Sequence, residues 1–214
     1  MRYEIFYDPI THIVFDDFFT DLEYEKILSC IKHFEPMMYQ GEVLKLDVET
    51  NIVHRTNDIK LQTKKAKNIW PYNYYSVDSK AKEFCDILER VIWSKEMREV
   101  YLQCKDSAFH YFNEVNSSQF LVSKYEKGDF YEWHKDVLIG FAPTGNIWIS
   151  EDVVDGGNLV ITNSYGHQKE IKYKTNRLIL FPSRSIHKVT EVLNECKRFS
   201  IQYFSLLVEE DKKQ

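Results

Sequence analysis

Residues 146–208 read NIWISEDVVDGGNLVITNSYGHQKEIKYKTNRLILFPSRSIHKVTEVLNECKRFSIQYFSLLV, and this stretch decides the fold. Its apolar segments are short: NIWIS, NLVIT, KEIKY, RLILFP, HKVTEV and RFSIQYFSLLV. Each is rich in β-branched and aromatic residues, as half-buried strands are. Turn signals separate them, among them Asp155-Gly156-Gly157-Asn158 and Asn163-Ser164-Tyr165-Gly166. Just upstream, FHYFNEV, QFLVSKYE and FYEWH extend the series, with turns expected at Lys127-Gly128-Asp129 and Pro143-Thr144-Gly145-Asn146. Strands recurring every 8–12 residues or so, with no helical run between them, argue for a sandwich or barrel and against βαβ units.

Ahead of this region the periodicity is helical. Thr20 or Asp21 can cap a helix through DLEYEKILSCIKHF, with Leu22, Ile27, Leu28, Ile31 and Phe34 on one face and Pro36 closing it. A longer helix fits Ser79 to about Gln103, with Phe84, Ile87, Leu88, Val91 and Ile92 at helical spacing. Between them, residues 41–61 look strand-like and loop-rich, and the basic run Lys64, Lys65 and Lys67 reads as a solvated turn. The expected fold class is therefore mostly β with flanking N-terminal helices (α+β), one domain over 1–214. A helical support region occupies 1–107 and a jelly-roll (double-stranded β-helix) core occupies 108–208.

Composition bounds the function. The chain has 214 residues, 43% apolar and 29% charged, with 28 Lys+Arg against 33 Asp+Glu and a net charge of −5. That suits a folded chain with a sizeable core. The acidic balance argues against a dedicated duplex-DNA partner, which shows a basic excess. Apolar runs stay well short of the roughly 18 residues a bilayer span needs, and Glu4, Asp8, Asp16 and Asp17 interrupt the N-terminus where a signal peptide is apolar. No membrane partner and a cytoplasmic location are the expectations. Cys30, Cys85, Cys104 and Cys196 form no CxxC pair and read as reduced thiols.

Trp133-His134-Lys135-Asp136 carries the first chemical signal. On a strand, residues two apart share a face, so the imidazole of His134 and the carboxylate of Asp136 converge. A lone His-x-Asp is weak evidence. The second signal is His187, placed after the strand Arg177–Phe181 and its turn, where winding of a jelly roll can bring it opposite His134. Two imidazoles and one carboxylate form the facial triad of non-haem Fe(II) oxygenases. The third signal is Arg198-Phe199-Ser200 on the final strand. Arg198 and Ser200 share a face, and a guanidinium with a hydroxyl beside it suits the far carboxylate of a dicarboxylate cosubstrate such as 2-oxoglutarate.

With these residues in place, the chain resembles the Fe(II)/2-oxoglutarate-dependent dioxygenases, in their prolyl 4-hydroxylase-like branch. The resemblance rests on Gln119-FLVSK-Tyr125-EK-Gly128-DFYEW-His134-Lys-Asp136, on Gly156-Gly157 before a strand, on Phe181-Pro182-SRSI-His187-Lys-Val189, and on Arg198-FSIQY-Phe204. It is specific over about 118–207. Earlier, FDDFF, the helix after it and His54-Arg55-Thr56 are similar to the family's N-terminal portion. The chain departs from the family at Asn158, Glu191 and Glu195. Lys197 and Arg198 fall ten and eleven residues after His187, so either could be the cosubstrate anchor, with Arg198 in better register.

The resemblance implies Fe(II) on His134, Asp136 and His187, with 2-oxoglutarate on Arg198, Tyr125 and Ser200. It also implies O2 as oxidant and ascorbate as reductant. The implied reaction is hydroxylation of an unactivated C–H, most readily a prolyl or other amino-acid side chain in a protein or peptide. Asp136 occupies the position that halogenating relatives leave open, which favours hydroxylation. Tyr131, Trp133 and Trp148 are read as flanking the mouth, with Tyr131, Trp148 and Arg55 as candidate substrate contacts. Nucleic-acid demethylases of the superfamily carry a second Arg where this chain has Phe204. The competing readings are hydroxylation of a free amino acid or other small molecule, a non-catalytic jelly-roll metal- or ligand-binding module, and a Zn(II) hydrolase. The last lacks a general base in an HExxH helix.

Overall fold

The computed structural model describes residues 1–40, 43–46, 53–56, 66–111, 117–136 and 143–206. In chain order the elements are β1 (Arg2–Phe6), β2 (His12–Asp16), α1 (Asp21–Phe34), β3 (Tyr39–Gln40), β4 (Val43–Leu46), β5 (Val53–Thr56) and β6 (Lys67–Ile69). There follow α2 (Ser79–Ile92), α3 (Lys95–Gln103), α4 (Ser107–His110), β7 (Ser117–Tyr125), β8 (Tyr131–His134) and β9 (Pro143–Ile149). The series closes with β10 (Leu159–Thr162), β11 (Gln168–Ile171), β12 (Arg177–Pro182), β13 (Ile186–Val189) and β14 (Arg198–Leu206).

The strands form an eight-stranded sheet, β1-β2-β12-β9-β14-β7-β6-β3, and a four-stranded sheet, β11-β10-β13-β8. All of their pairings are antiparallel. Taking β7 to β14 as one to eight, the two sheets read 6-3-8-1 and 5-4-7-2, which is the winding of a jelly roll. Trp148, Ile179 and Phe181 of the large sheet meet Leu159, Ile161 and Ile171 of the small one between the layers. The opposite face of the large sheet presents Phe120, Val122, Ile147, Ile149, Leu178, Leu180, Phe199, Ile201 and Tyr203 to the buried faces of α1, α2 and α3.

The first helix begins at a capping box, in which Thr20 accepts from Glu23 N and the Glu23 carboxylate accepts from Thr20 N. Leu22, expected on its apolar face, is exposed. The long helix expected over 79–103 is two helices. Ser94 leaves helical geometry, and its hydroxyl accepts from Met97 N to start α3.

Phe109 and His110, which open the expected strand FHYFNEV, are helical, and residues 112–115 of that stretch lie outside the described residues. Asp106 caps Ala108 N, and a short helical turn, α4, takes the place of an opening strand. The turn expected at Pro143–Asn146 is absorbed into β9. Four strands from the first half of the chain (β1, β2, β3 and β6) join the large sheet, where a helical support had been expected. Lys64 and Lys65 lie outside the described residues. No helix among the described residues is long and apolar enough to cross a membrane.

Candidate metal and anion site

The site lies between the two sheets, where β8 and β13 of the small sheet face Thr144 of the large one. β8 and β13 are paired with His134 directly across from His187, and their ring centroids are 4.1 Å apart. Asp136 follows β8, where its N–H donates to the Ser183 carbonyl (3.1 Å) in the turn ahead of β13. One carboxylate oxygen is 3.7 Å from His134 Nε2 and the other is 3.7 Å from His187 Nε2. Among the described residues, these three form the group of side chains that could hold a metal, with ligand atoms all within 4.8 Å of one another.

The tautomers follow from the backbone. His134 Nδ1 lies 2.7 Å from the Glu132 carbonyl and His187 Nδ1 lies 3.0 Å from the Ser185 carbonyl. A carbonyl only accepts, so each Nδ1 carries a proton and each Nε2 is the ring atom turned toward Asp136, the one available to a metal. The Tyr131 ring stacks on His134 at 3.5 Å and Phe181 packs edge-on against His187 at 4.8 Å, which fixes both imidazoles. Thr144 on β9 places its hydroxyl 3.1 Å from Asp136 Oδ2 and 3.0 Å from the Tyr203 carbonyl, two acceptors for one proton.

Arg198 occupies the other end of the same interior. It is fully buried, and its Nε, Nη1 and Nη2 find no hydrogen-bond partner among the described residues. Three rings surround the guanidinium: Tyr125 at 4.8 Å, Tyr173 at 5.3 Å and Trp148 at 5.6 Å. Burial alone draws the Arg198 pKa below its ordinary value. The Tyr125 hydroxyl, also buried and unpartnered, is pushed up to about 12 by burial and so stays a donor. A cation with three buried donors and no acceptor fits an anion bound there, because buried polar groups are otherwise satisfied. The donor sets at the two ends therefore suit a divalent metal and a carboxylate respectively.

Lys197 is placed outside: its Nζ pairs with Glu35 Oε1 at 2.9 Å on the protein surface. Of the two basic candidates, only Arg198 enters the interior. Ser200 is buried on the same face as Arg198, but its hydroxyl donates to Asn146 Oδ1. Trp148 corrects the expectation of a mouth residue: it is fully buried against Arg198 and Tyr173 because β9 is central and covered on both faces. Tyr131 is half-buried over His134, and Trp133 is partly exposed beneath the Lys188 ammonium, 4.8 Å from its ring. Arg55 belongs to β5, whose side chains lie outside the described ones. Tyr72 and Tyr75 stack on each other in a short helical turn, and Tyr74 and Tyr75 pack on the helix-side core.

Sequence reasoning missed Thr144, Tyr173 and the reason for Gly157. That glycine has φ +60°, and a Cβ there would stand 2.7 Å from Arg198 Cδ and 2.8 Å from its Nε. The Gly156-Gly157 signal was visible in the sequence, but the arginine stem it clears was not.

Comparison with known proteins agrees with this geometry. Residues 120–205 match the model of the 2OG-Fe(II) oxygenase superfamily. A PKHD-type hydroxylase of Herminiimonas arsenicoxydans is 30% identical over 104 residues, 44% of this chain and 46% of the relative. One from Shewanella baltica is 32% identical over 100 residues, 42% of this chain and 44% of the relative. The chain thus spans about half the length of the curated relatives it matches. Among solved structures, a prolyl-4-hydroxylase of Pseudomonas putida superposes with TM-score 0.63 at 16% identity, covering 92% of both chains. A Trichoplax adhaerens prolyl hydroxylase, in complex with a hypoxia inducible factor oxygen degradation domain peptide fragment, superposes with TM-score 0.64 at 16% identity, over 92% of this chain and 83% of that one. The chain carries the sequence pattern of the 2OG-Fe(II) oxygenase superfamily over residues 120–205, on a fold like that of the prolyl 4-hydroxylases.

Proposed function

We propose that the protein is an Fe(II)/2-oxoglutarate-dependent dioxygenase that hydroxylates an unactivated C–H bond of a prolyl or other amino-acid side chain in a protein or peptide. The observation that carries this reading is the buried, unpartnered Arg198 guanidinium sharing an interior with the His134–Asp136–His187 group. A purely structural metal site has no use for such a cation. The peptide substrate class is supported by the peptide-bound hydroxylase among the similar folds.

His134, Asp136 and His187 would hold the iron through two neutral Nε2 atoms and one carboxylate, leaving positions for other ligands. Bound iron and 2-oxoglutarate together supply the O2-dependent oxidising chemistry. The chain's own residues supply position. Arg198 and the Tyr125 hydroxyl receive the far carboxylate, and burial strengthens those charge-assisted contacts. Thr144 restrains the Asp136 carboxylate, and the two backbone carbonyls lock the tautomers of both histidines. Tyr131 stacks on the His134 ring and holds its orientation.

The test is succinate formation from 2-oxoglutarate by purified protein under air with Fe(II) and ascorbate, followed by screening of prolyl peptides. Slow uncoupled turnover that Arg198→Ala suppresses is the expected result. No succinate, together with no metal-to-ligand absorption band in an anaerobic 2-oxoglutarate titration, would overturn the reading.

A further inference from the structure

The floor between the metal end and Arg198 is built by β9 and β14 in the register Thr144↔Phe204, Asn146↔Gln202, Trp148↔Ser200. Asn146 therefore sits two residues from Thr144, which reaches Asp136, and two from Trp148, which lies against Arg198. At about 3.3 Å per residue, it is roughly 7 Å along the strand from each. Its side chain is on the inward face, and the residue is 4% exposed.

A buried primary amide has an oxygen to satisfy and two N–H donors. The oxygen is satisfied by the Ser200 hydroxyl. The Nδ2 group makes no hydrogen bond to any described residue. Because the hydroxyl proton of Ser200 is given to Oδ1, the amide is oriented with its NH2 away from Ser200. The cross-strand neighbour Gln202 is handled in a similar way, with its Oε1 3.1 Å from the Ser123 hydroxyl. The floor midway between the two ends thus offers donors, which suit carboxylate or keto oxygens and not an amine or a backbone N–H.

We propose that Asn146 is a cosubstrate-binding residue, its Nδ2 donating to an oxygen of the 2-oxo dicarboxylate anchored by Arg198, with Ser200 as the positioning residue that orients it. The inference rests on the oxygenase reading above. It also reassigns the role expected of Ser200, whose proton is already committed to Asn146.

The test is an anaerobic titration of the Fe(II)-loaded full chain with 2-oxoglutarate, reading the metal-to-ligand absorption band, in wild type, Asn146→Asp, Asn146→Ala and Arg198→Ala. Asn146→Asp keeps the size and the oxygen that accepts from Ser200, but puts a negative oxygen where the NH2 was. The expected result is a Kd raised at least tenfold in Asn146→Asp and three- to tenfold in Asn146→Ala, with Fe(II) affinity unchanged. Asn146→Asp adds charge repulsion to the loss of the donor, so Asn146→Ala is the variant that isolates the donor, and a residue without a bond to the cosubstrate would leave its Kd within twofold of wild type. Asn146→Asp binding within twofold of wild type, or more tightly than Asn146→Ala, overturns the proposal; loss of the band in Arg198→Ala would then still uphold the oxygenase reading. An Asn146→Ala Kd within twofold of wild type overturns the proposal, also where Asn146→Asp fails to fold. No band in the wild-type protein overturns both.

Discussion

Replacing Arg198 by Met removes a charge from the interior and keeps a long apolar stem, and the ligand-free protein should become more stable. The guanidinium is fully buried with three nitrogens unpartnered. Each buried unsatisfied donor costs about 1–3 kcal/mol. Offsetting this are the contacts with Tyr125, Trp148 and Tyr173, which are worth about 0.5–2 kcal/mol each. Met retains part of that packing, so a net gain of about 2 kcal/mol is expected, in line with buried charges replaced by apolar groups. For a chain of this length that is a rise in Tm of roughly 4–8 °C.

Adding 2-oxoglutarate should reverse the order. At a hundred times its Kd, a ligand that binds only the folded state adds about 2.7 kcal/mol. The wild type should gain that stability, and Arg198→Met should not respond. The assay is a pair of melting curves with Mn(II) replacing Fe(II) to prevent turnover, with and without 2-oxoglutarate. An Arg198→Met protein that melts several degrees below wild type, beside a wild type indifferent to 2-oxoglutarate, would refute the reasoning. The cation would then serve the fold through its three rings and not an incoming anion.

Two further outcomes follow from the same structure. Gly157→Ala should cost about 1–2 kcal/mol for its left-handed backbone, and its Cβ, placed 2.7 Å from Arg198 Cδ, should also raise the 2-oxoglutarate Kd about tenfold. Gly166→Ala, at φ +82° with nothing within 4 Å, should bear only the backbone cost, and equal binding losses in the two variants would contradict the assignment. Burial lowers the His12 pKa from 6.5 to about 4, so between those pH values the unfolded chain binds a proton that the folded one refuses. Stability should therefore fall as pH drops through that window, by about 2–3 kcal/mol. Tm profiles of wild type and His12→Phe that run parallel from pH 7 to 4 would reject this.

The metal end was legible because its signal is local. His134 and Asp136 are two residues apart at a strand end, and His187 stands at a comparable position after another strand. What the sequence does not contain is the β8–β13 pairing that sets the two histidines opposite each other, a contact across 53 residues. Other misses had usable signals. RYEIF alternates as a strand does, and HIVFD is a short apolar run between polar residues, as a buried strand is. Ser94, with Glu96 in the turn that follows, is an N-cap pattern inside an otherwise continuous helical periodicity. FHYFNEV has strand-like aromatic alternation, yet the Asp106 cap makes its first residues helical.

The anion end was harder for a different reason. Alternation along β9 and β14 is plain in the sequence: Thr144, Asn146 and Trp148 against Ile147 and Ile149, and Arg198, Ser200 and Gln202 against Phe199, Ile201 and Tyr203. The ordinary reading of such a pattern puts the polar face in solvent. Here the apolar face is covered by α1, α2 and α3, and the polar face is covered by the second sheet, so both are inside. A polar face between two sheets is costly unless it has partners. Part of that cost is met internally, by Ser200 on Asn146 and by Ser123 on Asn68 and Gln202. What is left over among the described residues around Arg198, its guanidinium, the Tyr125 and Tyr173 hydroxyls and the Asn146 NH2, can all donate. An interior whose unmet groups all donate is organised for an acceptor from outside the chain. That conclusion required knowing which face was covered, and composition and periodicity could not supply it.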